Sequence, residues 1–484
     1  MLIGTMDRST KPSFNFVNLK HPDDLKNEET QLRIRRLAMT EVGKARRKPK
    51  TKRARNELIL EFRDPSESRV NIDRFGGGQL DPFNPYPIEL DDSARALLAN
   101  VFSADDNDHP SVLRGSWYPV GLSDAAAFHN MLANSQNFLF QKRNGYFPSQ
   151  DDAVALKHHH KALRHTTLMM KDPAKHKSDE VICGVVSFMI HNALLGDFTH
   201  WQKHSNALVR IVGLRGGYDA IDKEHLRLTV SWADLIGSFY QDHPPIVPMP
   251  QQWIVDSRSP PNSPWPTNNA LSLTWKQQLP MHLDWIIIFD DIVQLISLDQ
   301  AFKEKQLMLA ITSGSWMEPT IYRLLAIRPL NHGNDREKVI EEVCRLGTLL
   351  FLSPFWRALG QSPVRTSVIS HNLLLVLTTN MIEWNELKPL LIWVIYFAAI
   401  ETKDLAERSQ FVFMLGILMS GLQLQDWDDI IQIVKSVLWV DKIFAGTDDL
   451  IRDEVMQIVN HNPMNFFPAD TPPGFLEDFG AEIE

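Results

Sequence analysis

Residues 196–217 read GDFTHWQKHSNALVRIVGLRGG, which sets Asp197 ahead of two histidines four apart, His200 and His204, and closes on Arg215-Gly216-Gly217. At helical spacing two such imidazoles share a face, as a metal pair does. A zinc hydrolase built this way needs His-Glu-x-x-His, because the glutamate activates the metal-bound water. Here the stretch is His200-Trp201-Gln202-Lys203-His204, and no base is supplied. His191 and Asp197 are near in sequence, yet nothing in the spacing sets either beside the pair as a third ligand. The pattern fits a helix opened by Asp197, with Trp201, His204, Leu208 and Ile211 in one stripe at spacings of three, four and three. His204 is then expected as a core histidine bonded to a backbone carbonyl. The glycines follow the helix and meet its carbonyl end, the wrong pole for a phosphate. They suit a left-handed C-cap, with Arg215 placed to bond the last carbonyls.

Other constellations fail for similar reasons. Phe289-Asp290-Asp291-Ile292-Val293-Gln294 is close to the Asp-Asp-x-x-Asp magnesium motif of helical terpene synthases, but Gln294 stands at the third acidic position. The companion motif is equally defective: after Asp448-Asp449, Arg452 stands where a hydroxyl is needed and Met456 where a glutamate is needed. In His158-His159-His160, adjacent helical residues point about 100° apart, so all three do not reach one ion. No Gly-x-Ser-x-Gly, Walker loop or dinucleotide fingerprint occurs. The reading is a protein that is not an enzyme, with no catalytic, cofactor-binding or metal residue and no cofactor.

The elements that must position these residues are nearly all helical. Apolar residues recur at helical period over 90–102, 122–140, 151–170, 178–195, 197–214 and 222–240, then over 275–309, 315–325, 335–352, 369–380, 389–401, 407–421 and 427–440. Asp426 stands as N-cap of the last, whose stripe of Trp427, Ile430, Ile431, Val434, Val437 and Leu438 belongs in a core. Sustained period-2 alternation is nearly absent, so the fold class is all-α. Between the two sets, residues 244–266 carry eight prolines, which forbids regular helix and predicts a loop or hinge.

Composition bounds the rest. The 484 residues, 44% of them hydrophobic, suffice for a large core and exclude disorder throughout. Two distant cysteines, Cys183 and Cys344, cannot form a disulfide framework and fit a reducing compartment. The N-terminus lacks a signal-peptide core, and the apolar run 390–400 is too short to span a bilayer, so no membrane association is expected. The net charge of −9 is uneven. Residues 33–55 hold eleven basic residues (Arg33, Arg35, Arg36, Lys44, Arg46, Arg47, Lys48, Lys50, Lys52, Arg53 and Arg55) against one acidic residue, Glu41. Such a segment suits a nuclear-import receptor, as a nuclear localisation signal, or nonspecific contact with DNA phosphates; it shows no docking geometry for base edges. After Arg452 no lysine or arginine follows, and 464–484 interleave phenylalanines with five acidic groups, the composition of an acidic-hydrophobic activation segment.

Several stretches together resemble the regulatory region of fungal-specific transcription factors, the helical domain that usually follows a zinc binuclear cluster. They are, in order, FVNLKHPDD (16–24), IRRLAMTEVGKARRKPK, LDPFNPYP, WYPVGLSDAAAFHNMLA, HHHKALRHTTLMMKDP, SDEVICGVVSFMIHNALLGDFTHWQKHSNALVRIVGLRGG, LLIWVIYFAAIETKDLAERSQFVFML and DWDDIIQIVKSVLWVDKIF. The marker is the 197–217 stretch, with Asp197, Trp201, His204, Leu208, Arg215, Gly216 and Gly217 as its structural motif. The resemblance implies a large, nonenzymatic, multi-helix module in the nucleus that modulates transcription through the transcription machinery, partner regulators, dimerisation or a small molecule. The pattern departs at the zinc cluster, which needs six cysteines, whereas none precedes Cys183. The expected organisation is a flexible basic arm over 1–80, helical halves over 81–243 and 275–460 joined by a proline-rich loop or hinge over 244–274, and a disordered acidic tail over 461–484. Two further readings are a helical scaffold or small-molecule sensor without DNA contact, its pocket between the halves, and a terpene-synthase-like enzyme.

Overall fold

Aspartates at helix starts and glycines at helix ends divide the chain into its elements. The computed structural model describes residues 86–102, 117–258, 283–297, 317–327, 335–358, 362–380 and 382–461. All regular structure among the described residues is helical. In chain order the α-helices are α1 (Asp92–Val101), α2 (Trp117–Ser123), α3 (Ala125–Asn144), α4 (Ala153–Lys171), α5 (Asp179–Leu195), α6 (Phe198–Arg215), α7 (Glu224–Gln241), α8 (Gln251–Arg258) and α9 (Asp284–Ser297). They continue as α10 (Met317–Ala326), α11 (Asp335–Ala358), α12 (Ser367–Thr379), α13 (Lys388–Glu401), α14 (Leu405–Gly421), α15 (Trp427–Val437), α16 (Asp441–Phe444) and α17 (Asp449–His461).

Side-chain carboxylates of Asp91, Asp124, Asp152, Asp197 and Asp404 accept the free amides of the helices that follow them. Each satisfies donors that the helix itself leaves open, worth about 1 kcal/mol per cap. Gly145, Gly196 and Gly216 end α3, α5 and α6 in the left-handed region. Asp426 occupies the N-cap position of α15, but its side chain makes no capping bond.

Several boundaries differ from the periodic reading. Asp124 caps a new helix inside the span 122–140, so α2 and α3 are separate. A helix, α8, forms within the proline-rich stretch, because the eight residues after Pro250 contain no proline and its ring ends the preceding turn without interrupting a ladder. Within 275–309 the described helix is Asp284–Ser297. Helix α11 continues past 352 through Pro354, held by the burial of Phe355 and Trp356, and α15 stops at Val437 where Leu438 turns extended. The basic segment 33–55 and the acidic segment 464–484 lie outside the described residues.

In the earlier part, α3 packs on α4 and α5, α5 on α6, and α7 lies across α5 and α2. In the later part α13 is central, contacted by α11, α14 and α15, with α17 closing on α14. Its all-round apolar character, with Leu390 through Ala399 buried, marks a helix surrounded by protein. No described helix is long and apolar enough to cross a membrane. Phe351, Trp393, Phe397 and Phe444 form an aromatic knot around it, with ring centroids 4.7–5.3 Å apart in the contacting pairs. One hydrophobic cluster runs from Ala94 to Val459.

Candidate functional site

Polar residues at helical spacing inside apolar helices locate the chemistry. On α3, Asn130, Asn134 and Asn137 fall on one face at spacings of four and three and are buried. Opposite them, α5 presents Ser187 and His191, one turn apart and buried, while α4 presents His158 and His159. Burying amides and imidazoles among leucines and valines costs free energy unless each finds a partner. Here they find one another.

His159 Nδ1 lies 3.0 Å from Asn130 Oδ1, Asn130 Nδ2 donates to Ser187 Oγ at 2.6 Å, and Ser187 Oγ donates to the Gly184 carbonyl at 2.6 Å. His191 Nδ1 lies 2.7 Å from Asn134 Oδ1, and its Nε2 2.9 Å from Asp151 Oδ2. Asn137 donates to the other carboxylate oxygen of Asp151 at 2.9 Å. The His159 and His191 rings stack with centroids 4.2 Å apart. Burial and the charge of His191 push His159 down to about 3. For Asp151, burial alone would raise the carboxyl, and the His191 and Asn137 hydrogen bonds hold it below its ordinary value.

The histidine run separates as helical geometry requires. His158 is buried against His129, Nδ1 to Nδ1 at 3.0 Å; burial depresses both to about 4, aided by like charge. His159 joins the Asn130 relay, and His160 is exposed.

The 197–217 motif borders this layer. Asp197 caps α6, accepting from the His200 amide at 3.0 Å and facing His200 Nδ1 at 2.6 Å, so His200 is held outward on the exposed side. Trp201 and Leu208 are buried, with Ser205 rather than His204 between them. His204 is half-buried and stacks on Phe188 at 5.0 Å, with burial lowering it to about 4; the expected carbonyl bond is replaced by this ring contact. Gly216 has φ 110°, a left-handed C-cap, and the Gly217 amide reaches the Val212 carbonyl at 2.9 Å. Arg215 turns away from the last carbonyls of α6 to bond the Ala220 carbonyl at 3.0 Å and the Asp179 carboxylate, which fastens α6 to the start of α5.

Asp291 is engaged by Arg323 at 2.6 Å, and Asp448 accepts the Trp427 indole N–H at 3.2 Å, so each is tied to its own structural partner. The eleven basic residues from Arg33 to Arg55 lie outside the described residues.

Two buried carboxyls are held partly protonated near neutral pH. Burial pushes Asp234 up to about 6, against the amides of Ile246 and Val247 that its Oδ2 accepts. Glu318 rises to about 7 by burial; Oε1 accepts from Trp356 at 3.2 Å and Oε2 has no hydrogen-bond partner. A folded-state value above the unfolded 4.5 means that stability is lost as pH rises through about 7. Glu318→Gln keeps the acceptor and removes the titration. It is expected to stabilise the protein by about 2–3 kcal/mol near pH 8 and to leave it unchanged below about pH 4.5. Denaturant titrations of both proteins across that range check this; a constant difference would contradict it.

The grouping of Asp151, His159 and His191 was not legible from spacing, since they come from the α3–α4 loop, α4 and α5. The available signal was the Asn and Ser residues buried at helical period in α3 and α5. A sequence profile of the family described as the fungal specific transcription factor domain matches residues 98–437, from the end of α1 to the end of α15. No curated protein and no solved structure matches the chain.

Proposed function

Since the chain belongs to the fungal specific transcription factor domain family, whose role is in transcription regulation, we propose that it acts in the nucleus, without catalysis, through its helical body and partner proteins. The single observation carrying this reading is the length of the family match, which runs over residues 98–437 rather than over one motif. The basic segment 33–55 serves nuclear import, and the acidic, phenylalanine-bearing segment 464–484 meets the transcription machinery.

A fluorescent fusion of the full chain is expected in the nucleus. Changing Arg46, Arg47, Lys48, Lys50, Lys52, Arg53 and Arg55 to alanine is expected to shift it to the cytoplasm; an unchanged distribution removes the import role. Tethered to an unrelated DNA-binding domain, the chain is expected to change reporter output. An inert fusion favours the second reading, a small-molecule sensor. That reading rests on an apolar cleft lined by Ile190, Leu194, Trp232, Ile236, Tyr240 and Ser362. The enclosed space is only about 10 Å³, room for about one water molecule, which favours partner contact over ligand sensing.

A further inference from the structure

We propose that Asp151, His159 and His191 form a binding site for a zinc-class divalent transition metal. One ligand atom from each lies within 4.8 Å of the other two. Two imidazoles and a carboxylate suit zinc or a neighbouring first-row ion, with a water as fourth ligand. In a tetrahedral site with bonds of about 2.0–2.1 Å the ligand atoms are about 3.3 Å apart, so closing the cluster takes side-chain shifts of about 1 Å and a tilt of the His159 ring out of its stack on His191, because each lone pair lies in its own ring plane. His159 is only half-buried, which leaves an entry route, while the side chains of His191 and Asp151, 1% and 6% exposed, form the inner side.

Hydrogen bonding sets the tautomer of His159. The Gly184 carbonyl can only accept, so the Ser187 hydroxyl proton goes to it, and Ser187 Oγ must accept from Asn130 Nδ2. Asn130 therefore turns its oxygen to His159, whose Nδ1 carries the proton. The lone pair is left on Nε2, in the neutral form that ligates metal. Donation of the remote ring N–H to a carbonyl is the arrangement that orients metal-bound histidines.

His191 shows the same arrangement with a further demand. Its Nδ1 and Nε2 face two acceptors, Asn134 Oδ1 and Asp151 Oδ2, and a neutral imidazole has one N–H for both. A cation between Nε2 and the carboxylate satisfies both nitrogens and takes the place of a proton there. Turning over the Asn134 amide, whose Nδ2 has no hydrogen-bond partner, would let a neutral ring donate to Asp151 instead. Absence of metal binding selects that arrangement.

The test uses the full chain, stripped with chelator and titrated with Co²⁺ and with Zn²⁺. The expected result is one equivalent of Zn²⁺ by calorimetry, displacing Co²⁺ whose visible spectrum is that of a four-coordinate N/O site. Asp151→Asn and His159→Gln are expected to abolish the spectrum, and Asn130→Ala to weaken binding by about 10–100-fold through loss of orientation. Thermal melting without metal confirms that each variant is folded; Asp151→Asn, in the α3–α4 loop and of nearly the same shape as the aspartate, keeps the test intact if His159→Gln is not folded. No stoichiometric binding overturns the proposal. So does binding that persists in Asp151→Asn and His159→Gln, since that would come from exposed histidines such as His160 and His200.

Discussion

Replacing Arg345 by alanine is expected to destabilise the protein by about 3–5 kcal/mol, the usual cost of breaking a buried ion pair from one side. Its guanidinium is fully buried. Two parallel bonds reach the Asp242 carboxylate, at 2.7 and 3.0 Å, and two more reach Glu342, at 2.8 and 2.6 Å. Burial works against the charge, and the Glu342 and Asp242 bonds more than offset it, so the arginine is held charged above its ordinary value. Asp242 ends α7 in the left-handed region, with φ 51°, and also accepts from Asn372 at 2.9 Å. One carboxylate thus links the end of α7 to α11 and α12.

Without Arg345 that carboxylate, 5% exposed, loses both guanidinium bonds while it stays buried. Asp242→Asn keeps a residue tolerant of the left-handed backbone and removes the stranded charge. Arg345→Met combined with Asp242→Asn is therefore expected to be substantially more stable than Arg345→Ala, because replacing both partners of a buried pair is far less costly than removing one. Urea unfolding of the single and double variants measures this. A loss under about 1 kcal/mol for Arg345→Ala would show the pair to be no more than a surface bridge in effect.

The second large effect is at the contact between α6 and α7. A Cβ added at Gly237 would fall 2.0 Å from Trp201 Cε2 and 2.1 Å from Cζ2, well inside any permitted approach. Trp201 is 2% exposed and its indole N–H points to the Ala233 carbonyl, 3.4 Å away, so the ring has no free side to which it can withdraw. Gly237→Ala is expected to cost about 3 kcal/mol or more by overpacking, and Trp201→Ala about 3–5 kcal/mol by cavity formation. The double variant is expected to lose less than the sum, since the alanine methyl enters space the indole vacates. Additive losses in denaturant titrations would mean that the two residues do not share this contact.

Much of the helical plan was readable locally. Asp197 before an amphipathic run, and Gly216 after it, specify a start and an end by hydrogen bonds that span only a few residues. The same logic missed Asp124, whose carboxylate caps the Ala126–Ala127 turn and divides one apolar run into α2 and α3. Periodicity continues across such a break, while the cap depends on one side-chain rotamer. The proline-rich stretch shows the converse, since counting prolines over 244–266 obscured the eight proline-free residues of α8.

Of the chemistry, the sequence by itself spoke against a hydrolase pair at His200 and His204, for lack of a base between them, and carried the family resemblance that the match over 98–437 shows. It also determined the concentration of positive charge at 33–55, which depends on composition alone. The tertiary structure decided the partners. His191 meets Asp151 at a sequence separation of 40, and Arg345 meets Asp242 at one of 103. Whether a buried polar side chain is satisfied, paired or able to ligate depends on which helix faces it. Helix propensities and caps act within a turn or two, whereas the choice of facing helix comes from burying every apolar stripe at once.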